Sequence, residues 1–217
     1  TSTRLSLRRC ATPPHCCLAR MTCFKALQGP SWHRTIARQP KPSSRCSACW
    51  IPRVRPAIRA GGTAVGVTIE GTETVFGTDI GAVISARQNV SSGGVASGAT
   101  VKFAAQFVYA GGTATGTVVS SAGHMVVSSG GLAIGGTMLS SGQTFISAAG
   151  TASGLTISTS VADCVSSGGT TIGTIIRSGG LEGVNGGATA LGATVSFGGI
   201  EIVIGYASAA TVSSGGT

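Results

Sequence analysis

The stretch Val126–Ser147, VVSSGGLAIGGTMLSSGQTFIS, nearly repeats itself within its own length. Two or three apolar residues alternate with Ser-Ser-Gly, and a Gly-Gly turn separates the two copies. Short β-branched runs bounded by Ser-Gly or Gly-Gly predict short strands joined by tight turns. Followed outward, the pattern settles into a period of 19 residues, with a single 18-residue step at its start. Gly98, Gly116, Gly135, Gly154, Gly173 and Gly192 form an unbroken glycine column. Two positions earlier, Ala96, Ala114, Ala133, Ala152, Thr171 and Ala190 form a column of small residues. Val101, Val119, Met138, Ile157, Ile176 and Val195 make an apolar column, and Val108, Val127, Ile146, Val165, Val184 and Val203 a nearly all β-branched one.

One such unit cannot bury its apolar residues alone, but stacked units can, because each column becomes a ladder inside a continuous core. Three inward ladders per repeat predict three faces. The expected fold is therefore all-β, a parallel β-helix (β-solenoid) of about eight 19-residue coils over residues 61–217. With strands about 4.8 Å apart, such a rod is roughly 40 Å long. Glycine at fixed offsets suits corners that need positive φ. All seven prolines lie at or before Pro56, as expected if every interior strand must donate its N–H groups. The periodic Val/Ile columns argue against a disordered Gly/Ser linker.

Composition divides the chain at about Ala60. Residues 1–60 hold 12 of the 15 Lys+Arg and no acid, whereas 61–217 hold Arg87, Lys102 and Arg177 against six acids. The formal charge of +9 therefore describes only the first part. That part is rich in Arg, Pro and Cys, six of the seven cysteines lying at or before Cys49. It reads either as a disordered basic arm or as the product of a frame error. Its charge would suit nucleic acid or an anionic membrane surface, but no nucleic-acid partner is assigned. Cys46-x-x-Cys49 has zinc-like spacing, yet no second pair accompanies it, and His15 and His33 are poorly placed. No apolar run reaches the ~18 residues of a membrane span, and no signal peptide is visible.

GGTATGTVVSSAGHMVVSSGGLAIGGTMLSSGQ (111–143) and VSSGGTTIGTIIRSGG (165–180) resemble the repeats of AIDA-type autotransporter adhesins, a likeness that extends over about residues 61–217. The resemblance implies a secreted or surface-displayed bacterial passenger that mediates adhesion or self-association. Its implied partners are like passengers on neighbouring cells, or host surface glycans and proteins. The resemblance also implies a C-terminal translocator barrel as a partner, which residues 1–217 do not include. Some members carry heptose on repeat serines, which makes Ser128, Ser129, Ser166 and Ser167 the matching candidates for glycosylation. The alternative for them is plain turn serines.

Chemistry is sparse. Asp163, Glu182 and Glu201 recur at 19-residue steps and should stack in a line. Paired carboxylates near 5 Å suit a retaining glycosidase, and an oxygen ladder could weakly hold a cation such as Ca²⁺. Simple alternation would put these acids on the side of Val165, Val184 and Val203. Burying three adjacent acids is costly, so the expectation is a bend that leaves them as an exposed ladder. Cys164, in a column with Val126, Phe145 and Ile202, is expected to be a small core residue. Thr100, Thr117, Thr137, Thr156, Thr174 and Thr194 read as one column, where a flat ice-binding face would need two. His124 has no nucleophile implied beside it. Neither a P-loop, a GxGxxG after a strand, nor a calcium nonapeptide is found. No catalytic residue, cofactor or metal is assigned. A structural stalk for an absent domain and, less favoured, a polysaccharide-active β-helix enzyme remain as alternatives to the adhesin.

Overall fold

The structure, a computed structural model, describes residues 57–147, 149–158 and 161–217. The chain divides into units Thr1–Trp50 and Ile51–Thr217, and the described residues belong to the second. The readings of the basic segment, including Cys46, Cys49, His15 and His33, lie outside them.

Twenty-seven short strands form three parallel nine-stranded sheets, and each sheet takes every third strand in order. The chain thus winds as a β-solenoid of nine rungs separated by eight turns. The central rung shows the design: His124–Val127 in sheet A, Leu132–Ile134 in sheet B and Thr137–Met138 in sheet C. Paired residues are 19 apart from Ala105↔His124 through Leu181↔Ile200. The first rungs are shorter: the steps are 17 at Ala57↔Thr74, 15 at Thr72↔Arg87 and 18 at Arg87↔Ala105. Among the described residues no helix is long and apolar enough to cross a membrane.

The three sequence columns are the three inward ladders. Val108, Val127, Ile146, Val165 and Val184 line sheet A, Ala96 to Ala190 line sheet B, and Val101 to Val195 line sheet C. Each is almost fully removed from water, and a fully buried Val or Ile contributes about 1.5–3 kcal/mol. Val203 continues its ladder but is 43% exposed, because no described rung covers it.

Three corners close each coil. Between sheets A and B, Ser129 and Gly130 both have positive φ, and the Gly131 N–H donates to the Ser128 carbonyl at 3.0 Å. Positive φ at both central residues is the type I′ geometry. The second glycine of the SSGG motif has a different reason: a Cβ on Gly131 would lie 2.3 Å from the Val108 carbonyl oxygen of the preceding coil. Between sheets B and C runs the glycine column, with φ near +60° throughout, as at Gly116 (φ 60). There the backbone flips. Gly116 N–H donates forward to Ile134, while Val118 N–H donates back to Ala99, both at 2.8 Å.

Candidate functional site

The strands set side-chain direction by strict alternation, and this fixes the three candidate acids. Asp163 lies in Val161–Val165 and Glu182 in Gly180–Val184, both facing inward. Asp163 is 2% exposed and Glu182 fully buried, while Glu201, on the last rung, is half-buried. The expected exposed ladder is therefore corrected: no bend intervenes, and the acids share the inner face with Val165 and Val184. Ladder pairing of backbone groups at every residue leaves the chain no freedom to turn one side chain out.

The acids extend one inward column of sheet A, which in register order is Glu73, Gln88, Gln106, Met125, Thr144, Asp163, Glu182 and Glu201. Its first part is hydrogen-bonded. Gln88 Nε2 donates to Glu73 Oε2 at 3.1 Å and to Asp79 Oδ2, a carboxyl that reaches in from sheet B. Gln106 Nε2 donates to Gln88 Oε1 at 2.8 Å, and Thr117 Oγ1 donates to Gln106 Oε1 at 3.0 Å. Burial raises the Glu73 and Asp79 carboxyls above their ordinary range, and the Gln88 amide opposes the rise.

The last part is poorly paired. Thr174 Oγ1 donates to Glu182 Oε1 at 3.1 Å, but Glu182 Oε2, both Asp163 carboxyl oxygens and Thr144 Oγ1 find no hydrogen-bond partner among the described residues. Burial pushes Glu182 up to about 7; the neighbouring Glu201 carboxyl adds to the rise, and the Thr171 and Thr174 hydroxyls oppose it. Burial first and the Glu182 charge second hold Asp163 well above the carboxylate range, and burial raises Glu201. Glu182, the shared member of any carboxylate pair in this ladder, Glu182 with Glu201 included, has no exposed surface for a substrate to reach. Among the described residues no group of three or more His, Cys, Asp or Glu is arranged to hold a metal ion.

Two other expectations change. Cys164 points outward, half-buried on sheet A beside Phe145, which is 38% exposed. Asn185 Nδ2 donates to its sulfur at 3.2 Å. It is not a core residue. The six threonines divide between two columns. Thr100, Thr137, Thr156 and Thr194 face outward on sheet C, whereas Thr117 and Thr174 lie just past the glycine corner and are buried. His124 faces outward beside Phe145, with ring centroids 6.2 Å apart.

Ser129 and Ser167 sit exposed at the tips of A-to-B turns, and Ser128 and Ser166 are half-buried at their bases. VSSGG also occurs at 90–94, which the sequence reading passed over. Val90 stacks below Val108 and Val127, so exposed Ser92 belongs to the same line of turn tips. The signal was present in the motif itself.

No family model and no curated protein matches the sequence. Among solved structures, the chain is similar to the crystal structure of the TibC-catalyzed hyper-glycosylated TibA55-350 fragment, with a TM-score of 0.62 and 27% identity. The likeness covers 74% of this chain and 75% of that one.

Proposed function

We propose that the chain is a β-helical passenger of an AIDA-type autotransporter adhesin, displayed on or secreted from a bacterial cell, and that it acts through its repetitive surface in adhesion or self-association rather than by catalysis. The observation that carries this reading is the likeness to the TibA fragment over three quarters of both chains. The repeat motifs at 111–143 and 165–180 support it independently of the fold. So does the surface. Outward positions of sheets B and C are mostly Thr, Ser and aliphatic residues repeated along the rungs, and repetition turns weak contacts into avidity.

The exposed turn-tip hydroxyls of Ser129 and Ser167, with Ser128 and Ser166 beside them, are proposed glycosylation sites, as the hyper-glycosylated neighbour suggests. The test displays the full chain from a carrier barrel on bacteria, with barrel-only cells as control. Surface protease resistance reports folding. Faster settling of displaying cells, or their binding to host cells, is the expected result; folded passenger that does neither refutes the reading.

A further inference from the structure

The inward polar column of sheet A is satisfied at one end and not at the other. At Glu73, Gln88 and Gln106 the chain supplies its own donors. The Gln88 amide stands between two carboxyls: its Nε2 donates to both Glu73 and Asp79, and its oxygen accepts from Gln106. Met125, fully buried, then divides the column. Beyond it Thr144, Asp163 and Glu182 follow on successive rungs, paired in register. None of these three positions carries an amide or a cation to stand where Gln88 stands.

Rungs lie about 4.8 Å apart, so the three side chains enter one short length of the interior. The inward column of sheet B beside them is Ala152, Thr171 and Ala190, all short side chains. The Thr171 hydroxyl acts on the Glu182 carboxyl from that side. Thr144 Oγ1, both Asp163 oxygens and Glu182 Oε2 have no hydrogen-bond partner among the described residues, and none of the three residues is more than 2% exposed. Buried polar atoms without partners are rare in folded proteins, and here the fold itself provides no donor for them.

The donor set identifies the class of ligand. Every unpartnered atom is a carboxyl or hydroxyl oxygen, which selects a hard cation over zinc or copper. Asp163 and Glu182 together carry two negative charges when ionised, so a divalent ion leaves the interior neutral. Mg²⁺ demands near-ideal octahedral geometry and keeps its waters, whereas Ca²⁺ accepts roughly six to eight oxygens in flexible arrangement. The cation would take the part that the Gln88 amide plays between Glu73 and Asp79. Burial and the Glu182 charge hold Asp163 well above the carboxylate range, a penalty that a bound counter-ion removes.

We infer that Thr144, Asp163 and Glu182 form a structural calcium site sealed inside the coil, the ion being trapped as the rungs close over it. Two carboxylates with a hydroxyl, not three acids, make the site; Glu201 lies one rung further on and is half-buried. The ion adds to stability and takes no part in adhesion. In calcium-free buffer the same acids behave as buried acids without a counter-ion.

The test unfolds the full chain in urea with EGTA and refolds it by dialysis into calcium or into EGTA at equal ionic strength. Circular dichroism and protease resistance report the fold. Radioactive calcium should stay with the refolded parent. Calcium at about a hundred-fold excess over its dissociation constant should raise the thermal midpoint by about 5–10 °C, and magnesium should do much less. Asp163→Asn/Glu182→Gln keeps the side-chain shapes; it should retain no calcium and melt alike in both buffers. Thr144→Val removes one ligand and no charge, and should weaken calcium binding about ten-fold or more. A parent that melts alike in calcium and EGTA and retains no ion overturns the site. Calcium held equally by parent and double variant places the ion elsewhere and also overturns it. Should the double variant fail to fold in either buffer, Thr144→Val decides, and an unchanged calcium affinity there overturns the site.

Discussion

Substituting Glu182 by Gln isolates the effect of acids sealed inside the coil. In the folded chain burial moves this carboxyl from 4.5 to about 7. In the unfolded chain it titrates near 4.5. Below pH 4.5 both states hold the proton, and ionisation takes nothing from stability. Between 4.5 and about 7 the unfolded state releases its proton while the folded state keeps it, so stability falls as pH rises. Above about 7 both are ionised and the loss levels off. At ~1.4 kcal/mol per pH unit the full loss is about 3 kcal/mol. Asp163, raised well above its ordinary value, acts in the same direction. Glu182→Gln keeps the shape and an oxygen to accept from Thr174 but cannot ionise. Urea unfolding of the full chain should therefore show the parent weakening from pH 4.5 to 7.5. The difference between variant and parent should grow across that interval by about 3 kcal/mol and stay flat below it. Because the basic segment is common to both proteins, its own titration cancels. A parent that strengthens over this range, or a difference independent of pH, refutes the buried placement.

Other outcomes follow from the corners and the core. Gly131→Ala puts a Cβ 2.3 Å from the Val108 carbonyl oxygen and should cost more than Gly116→Ala, where nothing lies within 4 Å and only φ is strained, at about 1–2 kcal/mol. Thermal unfolding of the two variants checks the order. Met138→Ala, at a fully buried site, should lower stability by about 2–5 kcal/mol. Cys164→Ser should change it by less than about 1 kcal/mol, since the sulfur is half-buried on the outer face; a larger loss would return Cys164 to the core.

Much of this fold was legible because it is written as period. The Val108, Val101 and Ala96 columns carried both the number of faces and the identity of the core, and the glycine column marked one corner. The short opening coils were not legible, since the steps of 15 and 17 break the repeat where its motifs are most degenerate. The acids were misplaced for a physical reason. The cost of burying Asp163 and Glu182 was set against strand alternation, and alternation won, because a ladder paired on both sides cannot turn one residue round. Cys164 was misread in the opposite sense: its neighbours Val126, Phe145 and Ile202 are apolar yet face outward, and apolar surface is common on folded proteins. The threonines were merged because Thr117 and Thr174 sit one residue before the outward column, across a corner that alternation does not describe. The interior relay of Glu73, Asp79, Gln88 and Gln106 lay in the degenerate rungs and carried no spacing that would single it out.

The central claim is that each 19-residue repeat is one complete turn of a three-faced coil, and removing one repeat tests it most directly. Deletion of residues 133–151 joins Leu132 to Ala152, residues whose neighbours in sheet B, Leu132↔Thr151 and Ala133↔Ala152, are paired in register. Every remaining column is then unbroken. The shortened chain should keep its β circular dichroism, a cooperative unfolding transition and protease resistance, whereas deletion of residues 133–142 alone should abolish all three. If both deletions unfold the chain, or both leave it folded alike, the solenoid account is wrong.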